Sequence, residues 1–357
     1  MQWAVNFIKH IAITPNRWYD WQIKSLSKDM LFCRGEEMSG TKNAKISIVV
    51  PCYNEEESIP LFLSRITTVA ADMPSVDLEL IFVDDGSTDR SLEVMRSLAK
   101  DNPQVRYISF SRNFGKEAAL LAGLEASTGD FVAVMDADLQ HPPELLPQMY
   151  MGIVDEGFDC VATRRVNRKG EPPIRSFFSK RFYRLTNRIS QTEIVDGATD
   201  YRLMTRQMVD AILSLKEYNR FSKGLFSWVG FSTKWIEFQN APRIAGSTKW
   251  NFWQLFLYSL DGIVAFSVRP LAISSFFGML FCLIAILGAV FIVVRWLVLG
   301  DPVQGWASTV CIILFVGGIQ LFCAGILGQY VAKSYLEAKG RPVYIVKEKS
   351  AEDSQNA

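Results

Sequence analysis

The sequence predicts an α/β fold, a mostly parallel sheet with helices on both faces, followed by interfacial helices and a two-helix transmembrane hairpin. Three observations carry this. From residue 45 short apolar runs alternate with amphipathic stretches. Acidic residues cluster just past those apolar runs. Two later stretches, 270–294 and 302–332, contain no Asp, Glu, Lys or Arg.

The elements follow in order. Ile46–Val50 reads as a buried strand, followed by a polar turn and a helix from about Ser58. Leu78–Val83 is a second strand, and Asp84-Asp-Gly-Ser-Thr-Asp89 leads into a helix ending near Lys100. Further strands are expected over Val105–Phe110, Phe131–Met135 and Phe158–Ala162. Short apolar strands separated by helices imply parallel pairing with both faces covered. Ligands of such sheets sit outside the carboxyl ends of the strands. Asn54-Glu55, Asp84-Asp85 and Asp136/Asp138 all fall at those ends and should converge on one rim.

Each charge-free run exceeds the ~20 residues a helix needs to cross a ~30 Å hydrocarbon core. The connection between them, Leu299–Gly305, carries only Asp301, whereas Lys249 and Arg269 precede the pair and Lys333, Lys339, Arg341, Lys347 and Lys349 follow it. The positive-inside bias places both ends in the cytoplasm, in an inner or plasma membrane. The expected organisation is an N-terminal extension (1–44, with Met38 a candidate start), a catalytic domain (45–245), a juxtamembrane helix (246–269), two membrane helices (270–332) and a cytoplasmic tail (333–357).

Composition excludes several classes. The net charge of +1 gives no reason to expect nucleic acid. Six cysteines without a Cys-x-x-Cys pair read as reduced and mostly buried. Two histidines, His10 and His141, leave no His-rich zinc site and little room for a Ser-His-Asp triad. No Gly-x-Gly-x-x-Gly follows the first strand, which argues against a dinucleotide-dependent dehydrogenase.

Asp136-Ala-Asp138-Leu-Gln140 supplies hard oxygen ligands suited to Mg²⁺ or Mn²⁺. A metal there can neutralise a departing diphosphate. Asp84 and Asp85 are placed to accept hydrogen bonds from a base or ribose, while Ser87, Thr88 or Asp89 would N-cap the following helix. Tyr53 is placed to pack on a base. Residues 164–188 are strongly basic with an apolar stripe of Phe178, Phe182, Leu185 and Ile189, read either as a solvated surface helix or as one lying on an anionic membrane. Trp250–Val268, rich in aromatic residues, reads as an interfacial helix. Gly317-Gly318 and Gly325/Gly328 would permit close helix packing and a homo-oligomer.

Val49-Val-Pro-Cys-Tyr-Asn-Glu55, Val83-Asp-Asp-Gly-Ser87, Asn113-Phe-Gly-Lys116 and Asp136-Ala-Asp-Leu-Gln140 resemble the family 2 glycosyltransferases of the GT-A fold. Within them the chain is similar to dolichyl-phosphate mannose synthases and bacterial polyprenyl-phosphate glucosyltransferases. The resemblance implies transfer of a sugar, glucose or an N-acetylhexosamine, with inversion, from a nucleotide-diphosphate sugar such as a UDP-sugar to a polyprenyl phosphate such as undecaprenyl phosphate. It implies nucleotide-sugar contacts at Pro51, Tyr53, Asn54, Glu55, Val83, Asp84, Asp85, Lys116, Asp136, Ala137, Asp138, Arg164, Arg243 and Lys249. Asp136, Asp138 and Gln140 would hold the metal, and Asp136, Asp138, Arg164 and Asp200 would serve catalysis. Arg175, Lys180, Arg184 and Arg202 would meet the acceptor phosphate or the membrane. The run Arg243-Ile-Ala-Gly-Ser-Thr-Lys249 departs from the Gly-x-Ser-Lys of many relatives, which weakens the case for Lys249. Rival readings are transfer to a lipid alcohol such as diacylglycerol, which would require a base, and a non-catalytic nucleotide-binding membrane adaptor. A processive polysaccharide synthase lacks support because no Gln-x-x-Arg-Trp run is present.

Overall fold

A computed structural model of the chain describes residues 43–165, 195, 197–238, 264, 267–299 and 305–350. The extension before residue 43, most of the basic stretch (166–194) and most of the juxtamembrane stretch (239–263) lie outside the described residues. So do Arg175, Lys180, Arg184, Arg243 and Lys249.

Strands β1 (Ala44–Cys52), β2 (Val76–Asp84), β3 (Val105–Phe110) and β4 (Phe131–Val134) pair in parallel, in the order β4-β1-β2-β3. They are joined by helices α1 (Ser58–Ala71), α2 (Ser91–Asp101) and α3 (Lys116–Ala126). A 3₁₀ turn (Pro143–Leu145) and α4 (Leu146–Val154) lead to β5 (Cys160–Arg165). Then come β6 (Ala198–Thr205), α5 (Arg206–Ser214), α6 (Ser222–Trp228) and β7 (Thr233–Phe238). β6 lies antiparallel between β4 and β5, and β7 runs parallel to β5.

The period-2 pleat splits the strand side chains between two faces. Ile46, Ile48 and Val50 of β1 join Leu80 and Phe82 of β2 under Phe62 and Ile66 of α1, Met95 of α2 and Met149 of α4. Val49 points the other way, to Leu120 and Leu124 of α3, Met208 and Ile212 of α5 and Phe226 of α6. Both faces are therefore helix-covered, as the sequence predicts. Burying a side chain such as Phe62 contributes roughly 1.5–3 kcal/mol. At Gly123 an added Cβ would stand 2.1 Å from Val49 Cγ1, so α3 lies closer to β1 than any side chain would permit.

Helices α7 (Arg269–Leu299) and α8 (Trp306–Ala338) contain the two charge-free runs. Tyr330 Oη donates to Ser267 O at 2.6 Å, Cys323 Sγ lies 3.9 Å from Ser274 O, and the Phe281 and Phe315 rings meet edge to face at 5.9 Å. Partners that climb α7 while descending α8 define an antiparallel hairpin. Phe276, Met279, Leu321 and Phe322 keep 63–76% of their surface exposed. Both helices are long and apolar enough to cross a bilayer, and their most apolar windows are almost wholly unburied, unlike the core helix of a globular domain. Gly317, Gly318, Gly325 and Gly328 have no neighbour within 4 Å of an added Cβ among the described residues.

Within the tail that follows α8, Val346–Lys349 forms β8, antiparallel to β3. Arg96 grips Glu348 through Nε–Oε1 (2.8 Å) and Nη2–Oε2 (2.6 Å). Its Val-Lys-Glu-Lys sequence lacks an apolar run because an edge strand buries little.

Candidate active site

Parallel pairing brings the ends of β1, β2 and β4 to one rim. The inserted β6 enters from the opposite direction, with Arg202 in register with Val134. Continuing that register places Asp200 across from Asp136. Lys116, the first residue of α3, spans the two: its Nζ lies 2.6 Å from Asp136 Oδ1 and 2.6 Å from Asp200 Oδ2. Three residues far apart in the sequence thus form one bridge. Burial acts to lower the Lys116 pKa, but the Asp136 and Asp200 carboxylates overcome it and hold the ammonium above its ordinary value. Burial likewise acts to raise Asp200, and Lys116 and Lys223 outweigh it, keeping that carboxyl well below the usual range.

The motif after β4 is turned by Leu139, whose φ of +55° is left-handed and strained for a residue with a side chain. Gln140 N donates to Asp138 Oδ1 at 3.1 Å. His141 is buried, with Nδ1 3.8 Å from Asp136 Oδ2 and no hydrogen-bond partner on either ring nitrogen among the described residues. Burial pushes its pKa down. Among the described residues no three or more His, Cys, Asp or Glu side chains are placed to hold a metal ion by themselves. Two carboxylates and an amide oxygen fit a hard cation that shares its coordination with a ligand's oxygens, and do not form a closed protein cage.

The remaining acidic residues of the rim hold its loops. Asp84 is buried, accepting from Ser87 N (2.9 Å) and Ser109 Oγ (2.7 Å). Asp85 Oδ1 accepts from Phe114 N (2.6 Å) and Gly115 N (3.1 Å), and Oδ2 from Gly115 N (3.0 Å); burial raises its pKa despite those bonds. Asp85 therefore fixes the loop that launches Lys116. Asn54, at φ +56°, accepts from Thr88 N (2.8 Å), and its own amide donates to Ser87 Oγ (3.0 Å). Glu55 Oε2 accepts from Ser58 Oγ at 2.6 Å. Tyr53 stands 39% exposed at the rim beside the half-buried Pro51, whereas the Val83 and Ala137 side chains are buried in the core, leaving only their backbone at the site.

Arg164 and Arg202 both have partners within the protein. Arg164 pairs with Glu237 on β7, while the next residue, Arg165, reaches Gln140 Oε1 at 3.4 Å. Strand alternation sends the two to opposite faces. Arg202 lies inside the fold. It is 4% exposed, its guanidinium stacks 3.7 Å from the Phe226 ring centre, and Nη2 donates to Thr199 O at 3.1 Å. Its position on a strand explains this, since residues 200 and 202 share the face covered by α3 and α6. Sequence reasoning missed Arg165 and His141. The signal available for His141 was its place directly after the carboxylate motif.

Residues 47–213 match the family described as Glycosyl transferase family 2. A putative glycosyltransferase CsbB from Bacillus subtilis (strain 168) is 42% identical over 307 residues, covering 86% of this chain and 92% of that protein. A prophage bactoprenol glucosyl transferase homolog from Escherichia coli (strain K12) is 40% identical over 303 residues, 85% of this chain and 98% of that protein. Among solved structures, mannosyl-3-phosphoglycerate synthase from Rubrobacter xylanophilus aligns with a TM-score of 0.44 at 18% identity, over 62% of this chain and 73% of its own.

Proposed function

The chain belongs to glycosyl transferase family 2, and from that premise we propose that it transfers glucose from UDP-glucose to a polyprenyl phosphate, with inversion at the anomeric carbon. The observation that carries the reading is the Asp136–Lys116–Asp200 bridge at the strand-end rim of a chain whose relatives include proteins named bactoprenol glucosyl transferase. The apolar hairpin supports a lipid acceptor, with the catalytic domain and both termini on the cytoplasmic face.

In this reading Asp136 and Asp138, with Gln140, hold Mg²⁺ or Mn²⁺, which neutralises charge on the departing diphosphate. Lys116 binds the same diphosphate, exchanging one carboxylate partner for a phosphate oxygen. Tyr53 packs on the base, and Asp85 orders the loop carrying Lys116. The acceptor phosphate monoester, with a second pKa near ~6, is already largely dianionic at neutral pH and needs no base. Asp200 suits that chemistry: its carboxylate is engaged by Lys116 and is a poor proton acceptor, which disfavours a lipid alcohol. Its role is to orient Lys116 and the sugar. The protein's task is to bring two anions together in line, by positioning and by electrostatic stabilisation.

The test incubates full-length protein with undecaprenyl phosphate, Mn²⁺ or Mg²⁺ and a panel of radiolabelled nucleotide-sugars. An acid-labile labelled lipid from UDP-glucose is expected. Label appearing on diacylglycerol instead, or on no lipid with any donor, would overturn the proposal.

A further inference from the structure

Helix α3, which begins with Lys116, is held at its start by Ser222 of α6 and at its far end by chain following α8. Its first-turn Glu117 accepts from Ser222 N at 2.9 Å and from Ser222 Oγ. The loop before Ser222 is clipped to the last turn of α8. There Glu337 Oε1 accepts from Tyr218 N and Asn219 N, both at 3.0 Å, and from Asn219 Nδ2 at 3.3 Å, while Oε2 accepts from Tyr218 N at 3.1 Å. At the far end of α3, Tyr344 Oη donates to Glu125, and its ring stacks on Phe110 at 4.9 Å.

Packing alone does not fix the start of α3 against the 218–220 loop. A cavity of about 430 Å³ separates them, lined by Arg112, Phe114, Tyr218, Asn219, Arg220 and Val343. Hydrogen bonds cross where side chains do not fill, and all four made by Glu337 are from N–H donors to a carboxylate, which specify geometry as well as attraction.

We propose that Glu337 is a positioning residue for Lys116, so that the end of the second apolar helix sets the geometry of the nucleotide-sugar site. The route runs from Glu337 through the Tyr218–Asn219 amides to Ser222, from Ser222 to Glu117, and along one peptide unit to Lys116. The inference rests on the reading of Lys116 as a nucleotide-sugar contact. It implies that a change in the attitude of α8 in the membrane reaches the donor site without passing through the sheet.

The test titrates UDP-glucose with MnCl₂ into full-length protein in detergent, by calorimetry, for wild type, Glu337→Ala, Glu337→Gln, Ser222→Ala, Lys116→Met and the Glu337→Ala/Lys116→Met double variant. Glu337→Ala and Ser222→Ala are expected to weaken binding about 5–10-fold. Glu337→Gln, whose amide oxygen still accepts from both amides, should lose less than about 2-fold. On the Lys116→Met background, Glu337→Ala should add less than about 2-fold, the non-additivity of residues acting through one another. Wild-type affinity in Glu337→Ala beside weakened Lys116→Met would overturn this inference and leave the donor reading standing. The same penalty on both backgrounds would also overturn it, by revealing general damage. Wild-type affinity in Lys116→Met would remove both.

Discussion

Replacing Glu79 with Gln separates the stability of this fold from its chemistry. Glu79, on β2, lies at the end of the sheet opposite the rim, with 6% of its side chain exposed. Its carboxylate accepts from Ser47 Oγ (2.5 Å), Arg106 Nη1 (2.6 Å), Thr128 N (3.0 Å), Thr128 Oγ1 (2.9 Å) and Lys45 Nζ (3.1 Å). It therefore ties β1, β2, β3 and the turn into β4. Burial acts to raise its pKa, but the bonds from Ser47, Thr128 and Arg106 outweigh it and hold the carboxyl at about 2, against 4.5. At ~1.4 kcal/mol for each tenfold change in proton affinity, that gap is worth roughly 3 kcal/mol. The folded pKa is depressed, so this stability is fully present above about pH 4.5 and is lost as the pH falls towards about 2. Gln also removes the negative charge that Arg106 Nη1 meets at 2.6 Å, which adds to the cost. Thermal unfolding of full-length protein in detergent should show Glu79→Gln melting roughly 6–12 °C below wild type at pH 7.5. The difference should shrink on acidification, with UDP-glucose affinity unchanged at low temperature. A melting temperature equal to wild type at pH 7.5, or a difference that does not narrow in acid, would refute the reasoning.

Two further outcomes follow from the site. Asp136→Asn should reduce transfer by at least about 10³-fold, since it removes both a metal ligand and one arm of the Lys116 bridge; full activity in a radiolabel transfer assay would exclude the metal assignment. Arg202→Met should leave the KM for polyprenyl phosphate within about 2-fold of wild type, because the guanidinium is buried on Phe226; a selective rise in that KM would assign it the acceptor role.

Much of the catalytic half was legible because its signals are local. Apolar strands ending in carboxylates announce both the sheet and its rim, and Asp136, Asp200 and Lys116 converge as their motifs imply. What was not legible depends on pairing. β6 carries Asp200 and Arg202 on one face, so its run lacks the apolar continuity that marked β1 and β2, and only insertion between β4 and β5 makes it a central strand. That insertion buries Arg202, which chain position alone could not reveal. β7, with Lys234 and Glu237 among its apolar residues, and β8, with three charges in four residues, hide for the same reason. Asp84 illustrates a further limit: the sequence does not reveal that this strand-end carboxylate accepts from Ser87 N and Ser109 Oγ.

The charge balance of the rim points to where the rest of the site lies. Asp136, Asp138 and Asp200 gather there, and among the described residues Lys116 is the cation that bridges two of them, with Lys223 acting on Asp200 from farther away. A nucleotide diphosphate and a phosphate monoester bring roughly four more negative charges to the same place. One ammonium already shared between two carboxylates cannot offset them. In the proposed reading the balance comes from a divalent cation and from further basic residues, for which Arg243 and Lys249 are the candidates the sequence offers. Two consequences separate these sources. Chelation with EDTA should abolish transfer, with recovery on adding Mn²⁺ or Mg²⁺. The Arg243→Met/Lys249→Met double variant, at saturating Mn²⁺, should raise the KM for UDP-glucose at least about 10-fold and leave the melting temperature unchanged, because neither residue belongs to the 47–213 region that carries most of the core. If the double variant keeps the wild-type KM, Lys116 and the metal together suffice for the donor, and the basic segments serve the acceptor alone.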